Sequence, residues 1–262
     1  MLAPRFLRTL AAATLGLIAS AALASAQAPR LDVIYVPTPA ETVDRMLTLA
    51  TVGPNDFVID LGCGDGRIAI GAAALGARAL GVDIDPARIR EAKANAAAAG
   101  LTDKVTFREQ NLFETALSDA TVLTLYLLPE LNLKLRPKIL ALKPGTRVVS
   151  HRFDMGDWKP DHSEEIARLV HFWVVPARVA GRWQMRAGEQ NFTLTLQQQF
   201  QDFSGTATIA GGVTPVRNAR LRGPDIEFTV DIAGTPTAFR GKVDGNKISG
   251  KTESGEWQAN KS

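Results

Sequence analysis

The chain has 262 residues, 45% of them hydrophobic, 22% charged and 6% aromatic. That composition is ordinary for a globular protein and excludes disorder, collagen and coiled coil. Thirty basic residues against 27 acidic ones give a net charge of +3, and no block of Lys and Arg marks a sequence-independent nucleic-acid binder. The single cysteine, Cys63, excludes an intrachain disulfide. At about 150 residues per domain the length suits two units.

Residues 1–26 read as a secretory leader. Arg5 and Arg8 precede an uncharged run from Leu10 to Leu23, and Ala24-Ser25-Ala26 offers a small-residue cleavage site before Gln27. The run is shorter than the ~20 residues that span a bilayer. The expectation is a cleaved signal peptide and an exported, periplasmic or secreted body. No later stretch of sequence is long and apolar enough for a membrane helix.

From residue 33 the chain alternates helical and strand periods, the signature of a parallel sheet covered by helices. Thr38-Pro39-Ala40-Glu41 reads as a capping box opening a helix. Asp56–Leu61 is a strand broken by Gly62-Cys63-Gly64-Asp65-Gly66, and a helix follows over Arg67–Leu75. Ala77–Asp83 is a second strand; Asp85 caps the next helix, with Pro86 at its first position and Gly100 past its end. Further strands fall at Lys104–Glu109, Thr121–Leu127 and Thr146–Ser150, with a helix opened by Pro137 between the last two. Leu169–Val175 and Arg178–Met185, separated by Pro176-Ala177, read as a closing hairpin, so the first domain is expected to span 33–186.

Composition shifts near Gly188. Residues 188–262 alternate polar and apolar side chains, as in Phe192–Leu196 and Ile226–Val230, with turn signals at Gly211-Gly212, Gly223-Pro224 and Asp244-Gly245-Asn246. Six or seven strands of an antiparallel meander are expected there.

The glycine turn carries the chemistry. Glycines between a strand and a helix start let the backbone approach a ligand, which meets free N–H groups and the positive helix end. A dinucleotide fold needs G-x-G-x-x-G, and its third glycine position here is Arg67. What stands instead is Asp60 followed by Gly62, Gly64 and Gly66, with Asp83 about 20 residues on, where an acid can hold a ribose diol.

These residues resemble the first two motifs of class I S-adenosylmethionine-dependent methyltransferases. Tyr35-Val36-Pro37-Thr38-Pro39, the turn, and Tyr126-Leu127-Leu128-Pro129-Glu130 are similar to the small methyltransferases related to the mitochondrial lysine methyltransferases of ATP synthase subunit c and adenine nucleotide translocase. The resemblance covers about residues 33–160. It implies a Rossmann-like α/β fold with a seven-stranded sheet and helices on both faces, to which the small C-terminal antiparallel β domain is added. It implies S-adenosyl-L-methionine as cofactor, with Asp60, Gly62, Gly64 and Gly66 at its methionine part, Asp83 at the ribose and Ile84 packed on adenine. Asn111, followed by Leu112, stands where the family usually has an acid for the adenine amino group; its carbonyl still accepts.

The loop after the fourth strand faces the methyl group in this family, so Tyr126 and Glu130 are the catalytic candidates for accepting an amine proton or orienting the nitrogen. Each also has a plainer reading, as a packed strand residue and a helix-start acid. The Asn/Asp-Pro-Pro-Tyr motif of many base methylases is absent, which speaks against a nucleic-acid acceptor. His151 and Asp154 follow the fifth strand at the same end. His151, His162 and His171 show no metal-ligand spacing, so no metal site is expected. Cys63 is either a reactive thiol at a helix start or a small residue tolerated by the turn. The expected activity is methylation of a lysine on a membrane or envelope protein. The alternatives are an exported binding module on a catalytically lapsed fold and a small-molecule methyltransferase, the latter favoured if the tail closes over the pocket.

Overall fold

The computed structural model describes residues 35–165 and 168–262, all within one compact unit, Leu31–Ser262. The expected leader lies outside the described residues.

Seven strands form the first sheet: β1 (Phe57–Leu61), β2 (Arg78–Asp83), β3 (Val105–Glu109), β4 (Val122–Leu125), β5 (Arg147–His151), β6 (His162–Glu165) and β7 (Leu169–Val174), in the order β3-β2-β1-β4-β5-β7-β6. The first five strands are parallel, and β7 returns antiparallel to β5 with β6 at its outer edge. Helices cover both faces because alternate strand residues point to opposite sides. Val58, Val122 and Val149 join the core under α1 (Ala40–Leu49), α2 (Arg67–Ala74) and α3 (Pro86–Ala98). Ile59, Leu123 and Val148 face α4 (Pro129–Ile139), with Leu135, Ile139, Trp158 and Trp173. The strand order reverses between β1 and β4, which opens a crevice beyond their carboxyl ends.

Three local expectations are corrected. Pro39, not Thr38, sits at the N-cap of α1, without a side-chain cap bond; the Thr38 hydroxyl turns instead to His151 Nδ1 at 3.1 Å. A tertiary partner outcompetes the local cap. Pro137 does not open a helix: α4 begins with Pro129 after an extended Leu128 and carries Pro137 in its last turn, where it forgoes one i→i−4 hydrogen bond. The hairpin over Leu169–Met185 does not form. Val170–Val174 is buried on both faces of the first sheet, whereas β8 (Gly181–Ala187) is buried on alternate residues and joins a second sheet. The change of sheet thus falls between Val174 and Gly181.

The second sheet holds nine strands, β8 followed by β9 (Gln190–Gln199), β10 (Asp202–Ile209), β11 (Gly212–Pro215), β12 (Arg217–Arg222), β13 (Asp225–Ile232), β14 (Thr235–Asp244), β15 (Lys247–Thr252) and β16 (Gly255–Lys261). Their order is β11-β10-β9-β8-β16-β15-β14-β13-β12, antiparallel throughout. Only Val216 separates the two edge strands β11 and β12, and its N–H donates to Gly205 O at 2.9 Å on β10. The edges are therefore one bent strand, and the expected meander rolls into an eight-stranded up-and-down barrel without a free edge. Its interior is filled: Phe228 stacks on Phe239 with ring centroids 5.2 Å apart, and Trp257 meets both edge-on.

The barrel docks at the amino end of β5. Ala177 N–H donates to Gly223 O at 2.8 Å, Gly223 lies against Gly145, and Phe200 stacks on Trp158 at 6.1 Å.

Candidate active site

The glycine turn is shaped by three left-handed backbone positions, Gly62, Gly64 and Gly66, with φ of 77°, 53° and 82°. A side chain is excluded at each for a different reason. A Cβ on Gly62 would lie 2.8 Å from Leu127 Cδ2, one on Gly66 would lie 2.6 Å from Phe107 Cζ, and one on Gly64 would overlap the Tyr35 ring. Four of the five N–H groups of this turn are already engaged. Gly62 and Cys63 both donate to Val82 O, Gly66 donates to Cys63 O, and Gly64 donates to Asp83 Oδ2 at 2.9 Å. The turn therefore offers close approach more than a set of donors.

Asp60 lies fully buried beneath it. Thr124 Oγ1 donates to Asp60 Oδ1 at 2.7 Å, and Oδ2 has no partner among the described residues. Burial pushes its carboxyl up to about 7, against the hydrogen bond from Thr124 and with help from the Asp83 and Asp65 charges. Asp83, at the end of β2, accepts from the Gly64 and Asp85 N–H groups, one on each oxygen. Asp85 caps α3 through Ala87 N–H at 2.7 Å, as expected.

Around the crevice lies a cavity of about 520 Å³, within the range of small-molecule sites. Gly62, Asp83, Ile84, Asn111, Leu112 and Tyr126 line it together. Asn111 Oδ1 accepts from Phe113 N–H at 3.0 Å, which fixes the amide and leaves one lone pair on that oxygen. Asp60 stands behind the wall and Glu130 does not reach it: Glu130 is exposed in the first turn of α4. Asp154 is exposed as well, and its carboxylate accepts from Gly156 N–H. Cys63 is in the wall, but burial drives its thiol far above the usual range, so it is a small protonated residue and not a nucleophile.

Sequence reasoning assigned no role to several residues of the wall, Tyr35, Arg67, Arg152 and Phe153 among them. Tyr35 packs on Gly64 and takes the Arg88 guanidinium over its ring at 4.8 Å. Arg67 donates to both oxygens of Asp65 and, at 2.7 Å, to Thr38 O, so the first turn of α2 holds the Tyr35–Thr38 segment in place. Arg152 and Phe153, just past β5, close the far side. Their position after a strand of the crevice was the available signal. His151 is buried behind Tyr126, ring centroids 4.0 Å apart, and its Nε2 has no partner among the described residues. Burial and the Arg152 and Arg168 charges lower its pKa to about 4. His171 contacts Ser163 Oγ at 2.8 Å and His162 lies 3.5 Å from Glu164; among the described residues no group of His, Cys, Asp and Glu could hold a metal.

The donor set suits a nucleoside carrying a positively charged amino-acid tail. An unpartnered buried carboxylate oxygen at Asp60, an acid at Asp83 and the apolar Ile84 and Leu112 each match one part of S-adenosylmethionine. The strand order, glycine turn and crevice thus define a class I S-adenosylmethionine-dependent methyltransferase. Comparison with known proteins gives the family: the profile described as the ANTKMT methyltransferase domain matches residues 60–162, and the chain belongs to that family. A protein-lysine N-methyltransferase of Saccharolobus islandicus (strain REY15A) is 50% identical over 129 residues, 48% of this chain and 80% of that protein. The adenine nucleotide translocase lysine N-methyltransferase of Mus musculus is 36% identical over 133 residues, 50% of this chain and 58% of that protein. The chain thus spans little more than half the length of the mouse relative. The crystal structure of an RNA methyltransferase from Salinibacter ruber in complex with S-adenosyl-L-homocysteine superposes with a TM-score of 0.54 at 51% identity, covering 55% of this chain and 96% of that one.

Proposed function

We propose that this methyltransferase acts outside the cytosol on the side-chain amine of a lysine in a membrane or envelope protein. The observation that carries the reading is an open, apolar mouth. Among the described residues, every one lining the cavity falls between Tyr35 and Phe153 and none comes from the barrel, so the tail does not enclose a small acceptor. Tyr35, Val36 and Leu128 line the cavity and remain exposed, an apolar rim suited to an apolar segment of a protein surface. The names of the two lysine methyltransferase relatives support the same class of acceptor.

When bound, the cofactor would supply an electrophilic methyl group on a sulfonium, open to in-line attack by an acceptor nitrogen. The chain's part is positioning and proton removal. An apolar mouth accepts the lysine stem and favours its neutral amine over the ammonium, since burial disfavours the charged form. Tyr126 lines the acceptor end with its hydroxyl available to orient the nitrogen; Glu130, at the exposed start of α4, acts no nearer than the rim.

RNA fits the mouth less well. A nucleic-acid acceptor calls for several phosphate contacts, and two of the three arginines of the wall are already engaged by carboxylates. The test is to incubate the full chain with labelled cofactor and, separately, envelope proteins, soluble proteins and RNA. Methyl-lysine found by mass spectrometry in the envelope proteins is the expected outcome; label confined to RNA would remove the proposal. Fractionation of producing cells, with the chain found outside the cytosol, tests the location.

A further inference from the structure

Arg67, Arg88 and Arg152 line the cavity, and they differ in one respect. Arg67 is held by Asp65, with donor distances of 2.9 and 2.5 Å. Arg88 pairs with Glu91 and lies 3.8 Å from Asp85. Arg152 makes no ion pair and its guanidinium no hydrogen bond among the described residues. It is nevertheless held in place. Its guanidinium lies over the Phe153 ring at 5.2 Å, and Phe153 stacks beside Tyr126 at 6.5 Å. Its backbone is left-handed, φ 71°, anchored by its N–H to Leu169 O at 2.6 Å. Few residues other than glycine, Asn and Asp adopt that conformation, and such departures are characteristically kept at binding sites. The result is a pre-positioned cation, exposed at the mouth, with its charge unanswered inside the protein.

We infer that Arg152 receives a carboxylate of the acceptor, so that the enzyme selects lysines with an Asp or Glu close by. The inference rests on the lysine reading proposed above and adds the sequence it prefers. With the lysine stem directed into the cavity, the acceptor backbone lies along the rim, where residues flanking the lysine meet Arg152. A planar guanidinium fixed on an aromatic face presents its remaining edge to a carboxylate with little side-chain freedom left to lose. A single free cation suits one flanking acid better than the row of phosphates of an RNA strand.

The test uses the full chain, cofactor and matched lysine peptides that differ only in flanking residues: Asp or Glu, their amides, or Lys. Arg152→Asn and Arg152→Asp tolerate the left-handed backbone, and Arg152→Lys keeps the charge; thermal melts confirm that each folds. The expected result is a KM about tenfold lower for acid-flanked peptides with kcat within about twofold, a factor equal to about 1.4 kcal/mol. That preference should vanish in Arg152→Asn, turn toward Lys-flanked peptides in Arg152→Asp and persist in weaker form in Arg152→Lys. No preference in the parent, or the same preference in every variant, overturns the inference while leaving lysine methylation standing. Failure to methylate any peptide or protein lysine, with RNA labelled instead, overturns both.

Discussion

The hydroxyl of Thr38 meets Nδ1 of His151 at 3.1 Å, across 113 residues of chain. This bond ties the segment that covers the glycine turn to the end of β5, directly behind the Tyr126 ring. His151 is buried and its pKa lies at about 4, so it is neutral in the working protein.

His151 makes the fold sensitive to acid. An unfolded His binds its proton near pH 6.5, whereas the folded one waits until about 4. Between these values the unfolded state binds more protons, and stability falls as pH drops, by about 1.4 kcal/mol per unit, levelling off below the folded value. In His151→Asn, which keeps a partner for Thr38, this part of the slope should disappear. Urea unfolding of parent and variant from pH 7 to pH 4 checks it.

Asp60 imposes the opposite slope. Its carboxyl is held up to about 7 by burial, while in the unfolded chain it ionises near 4. Over that interval the native state keeps a proton that the unfolded state has lost, so the Asp60 contribution decreases as pH rises and is constant above the folded value. Asp60→Asn should therefore gain stability relative to the parent between pH 4 and pH 7.5. Equal differences at both pH values in urea unfolding would contradict the assignment.

Gly64 and Gly66 separate site from scaffold. A side chain on Gly64 displaces Tyr35, while one on Gly66 meets Phe107 at 2.6 Å and Ala92 Cβ at 2.9 Å inside the core. Gly64→Ala is expected to weaken cofactor binding at least tenfold for a stability loss of roughly 1–2 kcal/mol, and Gly66→Ala to cost roughly 3 kcal/mol or more. Calorimetric titration and denaturant melts on the two variants distinguish these outcomes.

Tyr126 and Glu130 should differ in the same way. Tyr126 is in the wall and Glu130 outside it, so Tyr126→Phe is expected to lower kcat by roughly 10- to 100-fold at unchanged cofactor affinity. Glu130→Gln is expected to stay within about twofold of the parent. Steady-state methylation with a protein acceptor reads both.

The parallel core was legible because β1 is a short apolar run closed by Gly62, and because Asp85-Pro86 supplies both a cap and a helix start. The strand His162–Glu165 was not: it is an exposed charged edge, held by its register with β7 and by Arg45 of α1, which donates to both oxygens of Glu164, and edge strands carry little hydrophobic pattern. The alternation of Trp183 and Met185 already distinguished β8 from the doubly buried β7, but the proline between them read as a turn. Barrel closure depends on the joint at Val216, a relation between distant strands that no local period encodes. At the site, Asp60, the glycines and Asp83 stand in a local motif, whereas Tyr35 and Arg152 reach the cavity only through tertiary packing.

The most direct measurement is a calorimetric titration of S-adenosyl-L-methionine and S-adenosyl-L-homocysteine into the full chain and into Asp83→Ala, each first shown to be folded by its thermal melt. Micromolar binding of both ligands by the parent, weakened at least thirtyfold in the variant, an effect of about 2 kcal/mol or more, is the predicted result. Absence of binding by the folded parent, or equal binding by both proteins, would contradict the cofactor site described at the carboxyl ends of β1 and β2.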